Sequence, residues 1–366
     1  MSDDCYNMND ADIAIVTVAD RRFIPAACCQ LISTAKHLTC DSSVRLFMVV
    51  CDVAEEDIFN VDRFFKMRGI SVKVVAPDFV EGMLTPLKTR WPRAAYLRLY
   101  FDYIFDDRWK RVVYFDADTR VCAPLSPLLT ADLRGQPIGA VHDFIYYVTG
   151  NIHRRRRDLF LEEDAPYLQS GVMVFDWQKM LACGGLAATR RFLTEHPEAC
   201  YEAPDQDALN AIFENRWTPL DPRWNMHELY LMFGGRLQPN ILHFTSVKPW
   251  SRERPRAWRE AAAWYRRELA GSPWPGFVES QNFWEAARAE LRFARKRYSP
   301  HLHEALAINL PFLLHWLRWE RAPDQLPWVP RRAKDVEDMA MALIKEAEGA
   351  CAPLRPPEAV LANRHW

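Results

Sequence analysis

Between Ile13 and Val75 short apolar, β-branched runs alternate with helical stretches, and few architectures accept that order. Ile13–Val18 (IAIVTV) and Leu46–Cys51 (LFMVVC) carry no polar alternation, so each reads as a strand covered on both faces. Ile24–Leu38 lies between them with helical potential. Glu55–Met67 is amphipathic, with Ile58, Val61, Phe64 and Phe65 on one face, and Val72–Val75 supplies a third strand. A β-α-β-α-β order implies an α/β fold with a mostly parallel, Rossmann-like central sheet flanked by helices. Its ligands are expected at the carboxyl ends of the strands.

A later strand ends in charge. Val112–Val121 reads VVYFDADTRV, in which an apolar run leads into Asp116 and Asp118. Two carboxylates at the end of a buried strand are costly unless a cation neutralises them. In an extended chain residues i and i+2 point the same way, so both can converge on one hard cation of the magnesium or manganese type. A solvated turn after a core strand is the plain alternative.

The remaining composition narrows the class. The 366 residues suffice for one large or two modest domains, and a net charge of −1 gives no overall drive toward nucleic acid. The 9 cysteines form no C-x-x-C pair, and the N-terminus is acidic and polar, unlike a secretory leader. Reduced thiols and a cytoplasmic location are expected, with peripheral contact at the inner face of the cytoplasmic membrane as an extension. No run approaches the about 20 apolar residues of a membrane span; Ala305–Leu317 is broken by Asn309, Pro311 and His315.

Further polar segments punctuate the chain. Pro92 opens a helical stretch to Phe105 in which Tyr96, Leu99, Tyr100 and Tyr103 share a face, read as core, while Arg98 points elsewhere. Strand candidates follow at Ile138–Val141, Val172–Phe175 and Ile241–Phe244. The arginine run Arg154–Arg157 reads as a solvated loop, with attraction of an anionic substrate as the alternative. In YLQSGVMVFD, Gly171 lets backbone approach a ligand closely, although a tight start to a strand explains it equally. In DQDALN, Asp205 suits a helix N-cap, while Gln206 and Asp207 beside it suggest a reader of sugar hydroxyls. In ILHFTSVKPW, His243 on its own reads as a core histidine, and Lys248 suits phosphate oxygens.

Taken in order and spacing, IAIVTVAD, YLRL, YFDADTRV, YLQSGVMVFD, DQDALN and HFTSVKPW resemble family 8 glycosyltransferases, the group of glycogenin and the bacterial lipopolysaccharide galactosyl- and glucosyltransferases. The resemblance covers roughly residues 11–250. It implies a GT-A nucleotide-sugar fold, Mn2+ (with Mg2+ as a substitute), a UDP-sugar donor and transfer with retention. Carried over by position, Asp116, Asp118 and His243 would ligate the metal, with the imidazole neutral and oriented by another side chain. Val16–Asp20, including Thr17, would cradle uracil and ribose. Arg98 and Lys248 would hold the diphosphate, with Ala117, Ser170 and Gly171 also against the donor. Asp143, Gln169, Asp205 and Gln206 would line the sugar subsite, with Gln206 beneath the ring as an electrostatic support for front-face attack. The catalytic set so implied is Gln206, Asp205, Arg98 and Lys248. Gln169 stands where the family usually has Asn, and Val18 and Ala19 stand where an acidic residue is common.

The implied activity is a retaining hexosyltransferase moving galactose or glucose to a glycan or lipid-linked acceptor such as a cell-surface polysaccharide. Two alternatives remain: a D-x-D metal-dependent phosphohydrolase, for which Arg120 is a poor fit, and a non-catalytic nucleotide-sugar-binding protein. Past residue 250 the texture becomes helical, Arg-rich and Trp-rich, so a catalytic domain over 1–250 and a helical region over 251–366 are expected. Phe283–Tyr298, FLLHWLRW and LPWVPRR combine basic and aromatic residues, suited either to packing on the catalytic domain or to an anionic membrane surface.

Overall fold

The structure, a computed structural model, describes residues 12–38, 43–78, 91–143, 152–227, 230, 236–294 and 333–349. Its centre is a seven-stranded sheet in the order β3-β2-β1-β4-β7-β6-β8. The strands are β1 (Ile13–Ala19), β2 (Val44–Val50), β3 (Val72–Val75), β4 (Arg111–Phe115), β6 (Ile138–His142), β7 (Leu168–Asp176) and β8 (Thr218–Pro219). Pairings β1–β2, β1–β4, β2–β3 and β6–β8 are parallel, while β7 runs antiparallel to β4 and to β6. A small second sheet holds β5 (Thr119–Val121), β9 (Met226–His227) and β10 (Ile241–His243), in the order β5-β10-β9.

Period-two alternation divides the core. Val16, Phe47, Tyr114, Met173 and Phe175 pack on one face with Tyr96, Leu97, Trp109 and Trp177. Ile15, Met48, Val113, Val172 and Val174 pack on the other against α1 (Ile24–His37) and α2 (Glu55–Lys66). Each buried aliphatic side chain contributes about 1.5–3 kcal/mol. On α2, Val61, Phe64 and Phe65 are buried as the periodicity predicts. The stretch after Pro92 is one α-helical turn, Arg93–Tyr96, passing into a 3-10 helix, Leu97–Tyr103. That tightening leaves Tyr103 at 53% exposure, outside the core expected for it.

Two local expectations are corrected. Arg154–Arg157 is not a solvated loop: it lies in α3 (Ile152–Asp158), with Arg155 and Arg156 buried. Arg155 Nη2 ion-pairs with Asp207 Oδ2 at 2.5 Å and donates to the Ala199 carbonyl. Arg156 Nε donates to the Ala165 carbonyl. Asp205 is not a helix cap. α4 (Pro204–Ile212) is preceded by Ala203, and it is Asp207 Oδ2 that accepts the Ala203 N–H.

After residue 250 the chain continues in the same core. Trp258 and, from α5 (Arg259–Glu268), Ala261, Trp264 and Tyr265 pack with the β-strand residues. The helix over residues 283–294 turns Ala289 inward and leaves Phe283, Trp284 and Leu291 exposed. The last described helix, α6 (Ala333–Gly349), packs Met339, Ala340 and Leu343 on Met226 and Tyr230. FLLHWLRW, LPWVPRR and Ala305–Leu317 lie outside the described residues. Among the described residues no helix is long and apolar enough to cross a membrane.

Candidate active site

The expected carboxylate pair forms, by a route other than strand alternation. β4 ends at Phe115, and Asp116–Asp118 make a turn into β5 rather than an extended segment. The Asp116 carbonyl accepts both the Thr119 N–H (3.1 Å) and the Thr119 hydroxyl (2.8 Å), which closes that turn. Ala117 points into the core, leaving the two aspartates to face the cleft.

His243 arrives by register. β10 pairs antiparallel with β5 so that His243 lies opposite Thr119, and the Phe244 N–H reaches the Asp118 carbonyl. Its Nε2 stands 3.2 Å from Asp118 Oδ1 and 3.5 Å from Asp116 Oδ2. The three side chains offer ligand atoms within 4.8 Å of one another. Two carboxylates and an imidazole are a donor set suited to Mn2+ or a similar hard cation. A Cβ at Gly171 would fall 2.7 Å from His243 Nδ1 and 2.8 Å from Asp116 Oδ2, so only glycine lets β7 lie against both.

Cations ring the pair. Lys248 Nζ is 2.5 Å from Asp118 Oδ2, in the short loop after β10. Arg98, buried with Cζ 4.5 Å from the Tyr114 ring centroid, places Nη2 2.9 Å from Asp116 Oδ1 and Nε 3.2 Å from Asp205 Oδ2. Its Nη1 donates to the Ser170 carbonyl at 3.0 Å. Tyr114 donates its hydroxyl to Asp116 Oδ1. Burial pushes Asp118 up, but the Lys248 ammonium and His243 overcome it and hold the carboxyl well below the usual range. Burial pulls His243 down, and Asp118 outweighs it, leaving the imidazole raised. Burial raises Asp205, which Arg98 only partly offsets.

DQDALN divides between site and scaffold. Gln206 Oε1 accepts the Ser170 N–H at 3.0 Å, and its Nε2 donates to Asp143 Oδ2 at 2.8 Å; Arg98, which contacts Asp116, Asp205 and Ser170, links this group to the Asp116–Asp118–His243 cluster. Asp207 turns inward instead, onto Arg155 and the Tyr167 hydroxyl, and so does not read sugar hydroxyls as its neighbours suggested. Asn210 accepts from the Leu168 N–H (2.7 Å) and donates to its carbonyl (2.9 Å), standing in for a neighbouring strand.

Other predicted residues sit differently. Gln169 Oε1 accepts the Gly171 N–H at 2.6 Å and also the Asn225 amide. Asp20 Oδ1 accepts from the N–H groups of Arg22 and Phe23, fixing the turn into α1. Val16 is buried in one core face, and Thr17 is buried with no hydrogen-bond partner for its hydroxyl. Neither makes a polar contact with the charged cluster.

Sequence reasoning missed Tyr114, Tyr167 and Asn225. Tyr114 precedes Asp116 by two residues, a spacing that signals a shared side. Asn225 accepts the His243 Nδ1–H at 2.8 Å, and its segment, PRWN, carries no such signal.

A family profile described as "Glycosyl transferase family 8" matches residues 14–254. The chain belongs to glycosyl transferase family 8. It is 25% identical over 269 residues to General stress protein A of Bacillus subtilis (strain 168), covering 69% of this chain and 92% of that protein. It is 22% identical over 252 residues to the lipopolysaccharide 1,2-glucosyltransferase of Escherichia coli (strain K12), covering 65% and 71%. Some matched streptococcal glycosyltransferases are longer, and the chain spans 33% of one and 35% of another. Among solved structures, the galactosyltransferase LgtC in complex with donor and acceptor sugar analogues superposes with a TM-score of 0.61 at 19% identity. That match covers 72% of this chain and all, 100%, of the other. The protein is a family 8 glycosyltransferase with a GT-A fold.

Proposed function

We propose that the protein is a retaining, Mn2+-dependent hexosyltransferase that moves galactose or glucose from a UDP-sugar to a glycan or lipid-linked acceptor. The observation that carries this reading is the convergence of Asp116, Asp118 and His243 with Lys248 beside them and Gln206 within the same cleft. Asp116, Asp118 and His243 would hold the metal, which would supply Lewis-acid neutralisation of diphosphate charge.

The chain's own residues do the rest. The Lys248 ammonium opposes negative charge gathering on departing UDP. Arg98 ion-pairs with Asp116 and donates to the Ser170 and Ala95 carbonyls, with Asp205 Oδ2 3.2 Å from its Nε, so it acts by fixing those groups and by its charge. Both ends of the Gln206 amide are hydrogen-bonded, to the Ser170 N–H and to Asp143, so the side chain is a fixed dipole. An amide is a poor nucleophile, and a fixed dipole suits an electrostatic role under an oxocarbenium-like ring during front-face attack. Asp205 and the Gln169 amide nitrogen are assigned to the sugar hydroxyls.

The test is UDP release from a panel of UDP-sugars with Mn2+ and no acceptor. UDP-galactose or UDP-glucose should be hydrolysed slowly, and only with metal. Hydrolysis of phosphate monoesters with no turnover of any UDP-sugar would return the site to the phosphohydrolase class.

A lipid-linked acceptor requires the enzyme to meet a bilayer. Trp284, Arg288 and Leu291 recur at helical spacing on the helix over 283–294, with Trp284 at 70% and Leu291 at 71% exposure. We assign this stripe to the headgroup layer of an anionic membrane. Replacing Trp284 and Leu291 together by Ala should weaken co-sedimentation with phosphatidylglycerol vesicles by at least about tenfold, since each buried side chain contributes about 1.5–3 kcal/mol. Unchanged sedimentation counts against the stripe.

A further inference from the structure

We propose that Asn225 and Gln169 are positioning residues that dictate which ring nitrogen His243 presents to the metal, and thereby set metal affinity; the inference rests on the metal reading above. The argument starts from a group that cannot change its role. The Gly171 backbone N–H is a donor only, so the Gln169 side-chain atom 2.6 Å from it is the oxygen. That same oxygen also receives a hydrogen bond from Asn225, which must therefore turn its NH2 toward Gln169. The Asn225 oxygen is then left facing His243, where it accepts the Nδ1–H at 2.8 Å. Nδ1 keeps its proton, so when the ring is neutral its lone pair is on Nε2, the nitrogen that faces Asp116 and Asp118.

Each link is enclosed. Asn225, Gln169 and His243 are all buried, so a flipped amide would oppose donor to donor or acceptor to acceptor without water to relieve it. The backbone also holds the links in place. Asn225 closes the 3-10 turn Pro222–Asn225, which Asp221 caps through the Arg223 N–H, and it leads directly into β9. β9 pairs parallel with β10, with His227 level with His243. The Gln169 side chain is long enough for its oxygen to bridge Gly171 and Asn225.

Metal ligands oriented by such partners typically lose about 10–100-fold in affinity when the partner is removed. The experiment measures Mn2+ binding by electron paramagnetic resonance with UDP present, alongside thermal melts, for four variants of the full chain. Asn225→Leu and Gln169→Met should each weaken Mn2+ by about 10–100-fold. Gln169→Glu, whose carboxylate accepts from both Gly171 and Asn225, should bind Mn2+ as the unaltered protein does. His243→Ala is the control. Native Mn2+ affinity in folded Asn225→Leu, with affinity lost in His243→Ala, overturns the inference alone. Native affinity in His243→Ala removes the metal reading itself. Should Asn225→Leu fail to fold, 15N-histidine spectra of the unaltered, metal-free protein at alkaline pH decide: an Nδ1–H tautomer at His243 upholds the inference, and an Nε2–H tautomer refutes it.

Discussion

Asp118→Asn should lower sugar transfer by about three orders of magnitude while leaving the protein folded. The change removes one of two carboxylates facing the cleft and with it the partner of Lys248 Nζ and His243 Nε2. Loss of several kcal/mol of charge stabilisation in the transition state corresponds to about 10³ in rate. The backbone around residue 118 does not depend on the carboxylate. Its carbonyl still accepts the Phe244 N–H, and Lys248 keeps the Phe244 and Thr245 carbonyls. Metal-dependent UDP release and circular dichroism, measured together, provide the check. Turnover close to that of the unaltered protein would remove Asp118 from the metal set.

The second large effect falls on stability, away from the reacting atoms. Arg155→Met should destabilise the fold by about 3–5 kcal/mol, the cost of leaving a buried charge uncompensated. Arg155 is 0% exposed and pairs with Asp207, which is also fully buried. Burial already pushes the Asp207 carboxyl up, with Arg155 the main restraint on that rise. Without the guanidinium, Asp207 must take up a proton or lose its place at the start of α4, where Asp205 and Gln206 also sit. Equilibrium urea unfolding gives the measurement. A loss within about 1 kcal/mol, as for an exposed pair, would show that Asp207 tolerates solitude.

How much of this could be read beforehand differs by residue. The strands β1 and β2 were legible because buried parallel strands are continuous apolar runs. The aspartates and His243 were legible as a set only through the order of their motifs, since their meeting depends on the register of β5 with β10. Arginine runs usually face water, and nothing local marks Arg155 as paired with a residue at position 207. Asn225 is obscure for a related reason. Its partners are Gln169 and His243, distant in sequence on either side, so only the folded chain places its amide between them. DQDALN was read as one unit, yet a helix turns by about 100° per residue, sending Asp205 and Gln206 to the cleft and Asp207 to the interior.

The packing of α6 carries a consequence for how the protein is made. Met339, Ala340 and Leu343 cover Met226, the residue directly after Asn225, and Glu346 meets His142, the residue directly before Asp143. Translation proceeds from the amino end, so Asp116, Asp118, His243 and Lys248 leave the ribosome well before the helix that packs on Met226 and meets His142. The nascent chain therefore holds a complete set of chemical groups without the final brace.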